Sequence, residues 1–435
     1  PSSPQMEILN GTTITDEKGE FSIDFNAVPD YKVSKKSDPT FIYLITADIT
    51  DINGETRSSQ TTLFAGYKAL LVNVDVPGEI EKSSQDRYNI STTNLSGTYE
   101  YASGTIIVHQ LKQPEKLFRS RLWKEPDMKI ISKNDYYLWF PYDQYENESN
   151  TSKWAKGNKL LEYSFDTQKD SLLSLPNLSS WPSGQYVLEI NSTDRFGEKV
   201  QSFSYFTVYS NSDKTIPVND FAWFSTLKAK GEPGDEAAFL IGTKEQNVSV
   251  LMEVEVRNNI IQKQWIKLSN ELKKITIPIK EEYRGNFAVH FSFVRHSRVY
   301  QYNINIEVPY TNKELDISFE TFRNKLLPGQ NEEWKIKIKG KNGEKVAAEM
   351  LAGMYDASLD AYRSNSWFLS LYNHYYMQKK WDSYDGFSSV GSSIYSVNWN
   401  PYVYFNYHVY DYLNWFGYDN YYYRYNRGYA YYDDY

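Results

Sequence analysis

Cysteine is absent from the 435 residues of the chain. This absence excludes disulfides, a thiolate nucleophile, cysteine-ligated zinc and an internal thioester within these residues. A chain without cysteine is compatible with either the cytosol or a bacterial envelope. Redox chemistry and covalent capture through sulfur are therefore not among the functions that this stretch of sequence can perform.

Basic patches and long apolar runs are also missing. The formal net charge is −8, with Lys and Arg scattered along the chain, whereas nucleic-acid-binding proteins usually show a basic face. No apolar run reaches the ~18 residues that a membrane-spanning helix needs. The sequence therefore predicts no nucleic-acid partner and no transmembrane segment. Because the chain opens on Pro1 rather than Met, we expect any export signal or anchor to lie upstream.

Motifs of the common enzyme classes are missing as well. There is no Gly-rich phosphate loop, no HExxH and no G-x-S-x-G. The 5 histidines are scattered. His290 and His296 flank one strand pattern, and we expect ordinary strand or surface roles for them rather than a metal pair. The sequence predicts no catalytic residue, no cofactor and no metal site.

Two acidic patterns resemble a calcium-binding site and a catalytic site. The stretch DITDINGE, from Asp48, resembles a calcium loop, but the positions of its first and last strong ligands hold Ile49 and Gln60, so we expect a turn. Asp356 and Asp360 have the spacing of paired carboxylates. This spacing places them on one face of a helix, or on one side of a strand at ~13 Å from each other. The strand distance is too long for glycosidase chemistry. We therefore expect Asp356 to end a strand.

Aromatic residues and strand patterns are abundant. Tyr alone accounts for 39 residues and aromatic residues for 17%, which favours strands and loops over helices. Segments such as FAVHFSFV (287–294) and QYNINIEV (301–308) alternate with period 2, and turns such as KNGE separate them. In the stretch AEMLAGMYDASLDAY, Met350, Ala352 and Met354 are expected to alternate into a sandwich core. The predicted fold class is all-β, with tandem antiparallel β-sandwich domains.

Weak repeats divide the chain into modules. TDINGETRSS from Thr50 matches TDRFGEKVQS from Thr193, and three Pro-Gly pairs precede strand patterns. Polar stretches around residues 210–220 and 309–315 suit linkers. We predict four modules: a partial sandwich at 1–74, a larger one at 75–210, a third at 211–309 and a partial one at 310–435.

The Tyr-rich C-terminal segment, residues 401–435, allows two interpretations. It can be strand and loop surface packed on the last module, which its alternation favours, or an exposed segment for a partner. If the chain truncates its last module, the unpaired edge predicts partial disorder there.

Residues 315–360 resemble the bait-region domain of the α2-macroglobulin family, in its bacterial branch. A Pro-Gly turn precedes an amphipathic strand, EEWKIKIKG, and a Gly turn then leads to an Asp-x-Ser-Leu signature. The signature residues, which the resemblance makes structural, are Pro328, Gly329, Asp356, Ser358 and Leu359. Residues 16–67 and the stretch from Val218 are similar to macroglobulin domains of the same proteins.

The resemblance implies macroglobulin domains, which are antiparallel β-sandwiches of fibronectin type III-like shape. It also implies that the chain is a scaffold fragment of a broad-spectrum protease trap. In such a trap a protease cuts an exposed bait and is enclosed as the cage rearranges. The implied partners are target proteases, reached through a bait at or beyond the C-terminus, and other domains of the full-length protein. The implied location is the periplasm or cell surface of a bacterium. Any thioester would lie outside this cysteine-free chain. An envelope adhesion or glycan-binding sandwich array stays open as an alternative.

Overall fold

A computed structural model describes residues 6–394 apart from residues 52, 85–86, 123, 322, 324–326, 328, 342, 344–348, 352, 354, 356, 365–369 and 382–390. Residues 1–383 form one compact unit and residues 384–435 another. Regular structure in the described residues is nearly all β, which confirms the predicted fold class. In the described part of the chain, no helix is long and apolar enough to cross a membrane. The predictions for Ala352, Met354 and 401–435 lie outside the described residues.

The described elements are nineteen strands, one α-helix and several short 3-10 turns. The strands are β1 Thr40–Thr50, β2 Thr56–Gly66, β3 Leu70–Val74, β4 Glu79–Glu81, β5 Arg87–Asn94, β6 Ser103–Lys112, β7 Ala155–Asp166, β8 Leu172–Ser174, β9 Gly184–Thr193, β10 Lys199–Tyr209, β11 Trp223–Lys228, β12 Glu236–Thr243, β13 Val248–Val256, β14 Asn259–Leu268, β15 Glu271–Pro278, β16 Phe287–Arg295, β17 Arg298–Ile306, β18 Leu315–Thr321 and β19 Lys335–Gly340. The helix is α1 Lys133–Trp139, and the 3-10 turns are Lys35–Ser37, Thr151–Lys153, Leu178–Ser180, Glu281–Tyr283, Thr311–Lys313 and Ala357–Ala361.

One type of turn recurs along the chain. An Asp or Asn side-chain oxygen accepts backbone N–H groups two and four residues later, at 2.8–3.0 Å, and the glycine three residues later has a φ of 80–88°. Only glycine adopts that left-handed conformation without steric cost. The turns begin at Asp16, Asp51, Asn94 and Asp194. DITDINGE is therefore a hairpin turn, as predicted, and the two matching repeats share one geometry.

Strands β1 and β2 form an isolated antiparallel hairpin, in register from Thr40 opposite Gly66 to Thr50 opposite Thr56. Few of its side chains are covered. Tyr43 is buried, beside Phe25, and its hydroxyl donates to the Val28 carbonyl at 3.0 Å. Ile42 on the neighbouring position is 68% exposed.

The second module is a closed β-sandwich. A three-stranded sheet, β3-β5-β8, packs on a five-stranded sheet, β4-β10-β9-β6-β7, and side chains from both form one apolar core. Strand β3 alternates buried and exposed residues, and Leu70, Val72 and Val74 enter this core. The predicted boundary after residue 74 therefore cuts through the sandwich, because β3 pairs with β5. We propose a boundary near residue 69.

The third module is a seven-stranded sandwich. Sheet β11-β12-β15 packs on sheet β14-β13-β16-β17, and the core between them is built from alternate residues of β13 and β16 together with Phe239 and Ile277. Phe287, Val289, Phe291 and Phe293 all point into this core, as the period-2 pattern predicts.

The second and third modules contact each other through apolar packing and hydrogen bonds. A small apolar cluster joins Tyr209 at the end of β10 to Ile216 in the connecting stretch and Trp223 in β11. The connecting stretch, predicted as a linker, is pinned where the Asn219 side chain donates to the carbonyls of Pro114 and Glu115 at 2.7 and 2.8 Å. Apolar packing and hydrogen bonds together oppose relative motion of the two sandwiches.

A second set of contacts, which we call the clamp, also holds this junction. It consists of Arg119, Tyr142 and Asp143 in the long β6–β7 connection, together with His296. Arg119 pairs with the buried carboxylate of Asp143 and donates to the His296 carbonyl at 2.5 Å. The Tyr142 ring stacks on the His296 ring, with centroids 3.8 Å apart. His296 lies in the β16–β17 turn, so the clamp ties the second module to a hairpin of the third.

Candidate functional site

The residues of the predicted signature fall in two segments. Gly329 has a φ of 79° in a turn where the Gln330 N–H donates to the Leu327 carbonyl at 3.0 Å. Ser358 and Leu359 lie in the 3-10 turn Ala357–Ala361, and Leu359 is 55% exposed. Pro328 and Asp356 lie outside the described residues. A structural role for these five residues remains a proposal from the resemblance.

The stretch before the signature is not a core strand in the described residues. Met350 is 53% exposed and Leu351 is 85% exposed, so the prediction that Met350 faces a core is wrong. The reason is that the neighbouring strands β18 and β19 form only a two-stranded sheet, which offers no second layer to pack against. Asp360 accepts hydrogen bonds from the Tyr355 hydroxyl at 3.1 Å to both carboxylate oxygens.

A segment that returns from the last module crosses the outer face of the third sandwich. We call residues 370–381 the strap. The strap has no regular secondary structure, yet its residues 377–381 donate hydrogen bonds to strands β13 and β17. At its first end, the rings of Tyr372 and Tyr310 stack at 4.9 Å, and the Tyr375 N–H donates to the Gly285 carbonyl at 2.6 Å.

The middle of the strap is held by Glu255. The N–H of Gln378 donates to Oε1 of Glu255 at 2.9 Å, and the N–H of Lys379 donates to Oε2 at 3.0 Å. One residue earlier, the Met377 N–H donates to Oδ1 of Asn305 at 2.8 Å. All three donors are backbone groups, so the side chains of the strap are not what is recognised here.

Glu255 is itself fixed by a buried histidine. Nε2 of His290 lies 2.9 Å from Oε2 of Glu255, and Nδ1 lies 2.8 Å from Oδ1 of Asn303. Glu255 is 2% exposed and His290 is 1% exposed. Both ring nitrogens of His290 thus lie within hydrogen-bond distance of a side-chain oxygen. The backbone N–H groups of the strap add further hydrogen bonds to the buried Glu255 carboxylate.

The far end of the strap is held by a second acid of β13. The Trp381 indole N–H donates to Oε2 of Glu253 at 3.2 Å, and Lys263 pairs with Oε1 of the same carboxylate at 2.9 Å. Glu253 is 6% exposed. Consecutive outward positions of one strand therefore present two carboxylates to the strap.

Sequence reasoning missed this site for a physical reason. In FAVHFSFV, alternation places His290 on the face opposite the core, between Ala288 and Ser292, where exposure is expected. Burial of that face comes from residues that lie far along the chain. The available signal is the composition: small and uncharged residues on an outward sheet face predict a covering element. His296, the other histidine considered for a metal, sits instead in the clamp. Among the described residues, no group of three or more acids and histidines could hold a metal ion.

Comparison with known proteins connects this region to a family. Residues 222–359 match the family model described as the alpha-2-macroglobulin bait region domain. The match begins next to β11 and ends in the 3-10 turn after β19, so it includes the third sandwich as well as the hairpin that follows. No curated protein sequence matches the chain at a significant level.

Several solved structures are similar at low identity. Salmonella alpha-2-macroglobulin reacted with methylamine is 15% identical, over 71% of this chain and 19% of that chain, with a TM-score of 0.25. The native conformation of E. coli alpha-2-macroglobulin is 15% identical over 70% and 19%, with a TM-score of 0.24. Murine CEACAM1b is 12% identical over 55% and 98%, with a TM-score of 0.17.

This chain spans 19% of the length of the two alpha-2-macroglobulin structures. TM-scores this low carry no argument about the arrangement of the modules, so the family assignment rests on the matched segment. That segment contains a complete sandwich and the described part of the predicted signature, Gly329, Ser358 and Leu359. Residues 222–359 therefore match the bait region domain of the α2-macroglobulin family, and this match supports the resemblance found in the sequence.

Proposed function

We propose that the chain is part of the scaffold of a broad-spectrum protease inhibitor of the bacterial α2-macroglobulin type, and that it acts without catalysis. The match of residues 222–359 to the bait region domain carries this proposal. Its partners would be target proteases, reached through a bait at or beyond the C-terminus, and other domains of the full-length protein. Its place of action would be the periplasm or cell surface of a bacterium.

The junction between the second and third sandwiches supports a scaffold role. A cage that rearranges when a bait is cut needs stiff parts, so that a local cut is transmitted rather than absorbed. The shared apolar cluster and the Arg119 clamp supply that stiffness at one boundary. The clamp joins two residues that are distant in sequence, Arg119 and His296, as a preassembled scaffold requires.

Limited proteolysis of the full-length protein tests the proposal. Trypsin, chymotrypsin and elastase, which prefer different side chains, are each used at low ratio, and the first cuts are located by mass spectrometry. The proposal predicts first cuts by all three enzymes within one segment downstream of the strap, together with a change in sedimentation coefficient. First cuts spread over the boundaries between modules, with unchanged sedimentation, would argue for an adhesion array instead.

A further inference from the structure

The middle of the strap is held through its main chain, whereas its ends are held by the side chains of Tyr372 and Trp381. Glu255 accepts hydrogen bonds from the backbone N–H groups of residues 378 and 379, and Asn305 accepts one from residue 377. Hydrogen bonds to an ionised carboxylate are about twice as strong as those between neutral groups. A carboxylate held in place by a buried histidine therefore accepts main-chain hydrogen bonds at a fixed position on the sheet.

The strap carries side chains that proteases of two classes recognise. Lys379 and Lys380 are sites for trypsin-like enzymes, and Tyr375 and Tyr376 are sites for chymotrypsin-like enzymes. A protease must bind an extended substrate by its main chain to cut it. Because the N–H groups of residues 377–379 are already engaged by the sheet, these sites are unavailable while the strap stays docked.

We propose that Glu255 is a positioning residue for the bait. By holding the backbone of the strap, it fixes the point on the third sandwich from which the downstream chain departs, and it shields residues 375–381 from target proteases. This inference rests on the proposed function, because it assigns the strap a place beside the bait. A cut beyond Trp381 would then leave the strap attached to this fragment and free only the chain downstream of the cut.

Two substitutions of one strap residue separate main-chain from side-chain recognition. Lys379→Pro removes the N–H that Glu255 accepts and leaves the sandwich untouched, whereas Lys379→Ala keeps that N–H and removes only the side chain. Glu255→Gln removes the carboxylate that accepts these hydrogen bonds and leaves a neutral amide. Glu245→Gln, the same substitution on an acid of the same sandwich that pairs with Arg295 instead, is the matched control.

The experiment measures cleavage rates in the full-length protein by mass spectrometry at the Tyr375–Tyr376, Tyr376–Met377 and Lys380–Trp381 bonds. The exposed Arg363 serves as internal reference. We expect Lys379→Pro and Glu255→Gln to raise cleavage at the three bonds tenfold or more, about the value of one hydrogen bond to a charged group. Lys379→Ala and Glu245→Gln should match the unsubstituted protein, and cleavage after Arg363 should not change.

The inference is overturned if Lys379→Pro and Glu255→Gln leave the three bonds as protected as before. It is also overturned if Lys379→Ala exposes them as much as Lys379→Pro does, since that would show recognition of the side chain. These results do not depend on protease trapping. Protection of the strap in a protein that fails to inhibit proteases would reject the proposed function but support the role of Glu255. An exposed strap in a working inhibitor would support the proposed function but reject the role of Glu255.

Discussion

At the residue scale, one turn motif acts differently according to what surrounds it. Asp51 and Asp194 begin turns with the same hydrogen bonds, but Asp51 is exposed, whereas Asp194 is 6% exposed and also accepts the Ala69 N–H at 2.9 Å. Burial acts to raise the pKa of Asp194, but the backbone donors, that of Ala69 first, outweigh it and hold this pKa below the ordinary value. The backbone N–H of Glu55 likewise lowers the pKa of Asp51.

Replacing Asp194 by Ala should destabilise the second sandwich by about 1–3 kcal/mol, because several partly buried N–H groups lose their acceptor. A carboxyl with a lowered folded-state pKa stabilises the fold above its unfolded pKa of about 3.9, and this contribution is lost as the pH falls. The difference between variant and parent should therefore be large at neutral pH and shrink in acid. Hydrogen exchange of β3, β9 and β10 at several pH values measures it.

Asp51→Ala is the matched control for this prediction. It removes the same two turn hydrogen bonds from the isolated hairpin, where water can replace them. Exchange in β3, β9 and β10 should stay as it is in the parent. Equal losses of protection in the second sandwich for both variants would contradict the assignment of a linking role to Asp194.

At the element scale, alternation predicted where strands lie, but it did not predict which of their faces are buried. The period-2 pattern of β16 and β17 and the Asp-x-x-Gly turns gave their elements from local sequence. Strand β3 shows what local pattern leaves open. Its Leu70, Val72 and Val74 predict a strand with one buried face, but only pairing with β5 decides to which sandwich that face belongs.

The strap could not be predicted as an element, because it has no periodicity and no regular structure. Its position follows from contacts with Glu255 and Tyr310, which lie far from it in the sequence. In the last module, alternation predicted a buried position that the structure does not show. A pattern that suits a buried strand gave an exposed Met350, since the described residues of that module supply no opposing sheet.

At the scale of the whole molecule, the β-sandwich class was predictable from composition and strand patterns, but the junctions between sandwiches were not. Arg119 and His296 are brought together by the packing of two modules, and no local sequence pattern near either residue predicts their contact. The linker prediction for residues 210–220 captured a boundary in sequence, yet Ile216 within it is 2% exposed and part of an apolar cluster.

Arg119→Ala should loosen the junction between the second and third sandwiches. It leaves the buried Asp143 without its ion-pair partner, which costs on the order of 3–5 kcal/mol for a buried pair. We expect the two sandwiches to unfold in separate thermal transitions and distances between spin labels placed on them to broaden. The control is Arg195→Ala, where the guanidinium is 66% exposed and 3.8 Å from Glu100.

Arg195→Ala should change neither property measurably, because exposed ion pairs contribute little. A single, unshifted transition and unchanged distances in Arg119→Ala would show that the clamp does not hold the junction. The apolar cluster around Trp223 would then carry it alone.

The central claim, that this bait region domain belongs to a protease trap, is tested most directly by two substrates of different size. The full-length protein is mixed with an active protease, and hydrolysis of a short chromogenic peptide and of a large protein is followed in parallel. Enclosure predicts that the peptide is still cleaved while the protein substrate is spared. Unchanged hydrolysis of both substrates, or equal loss of both, would contradict a trap.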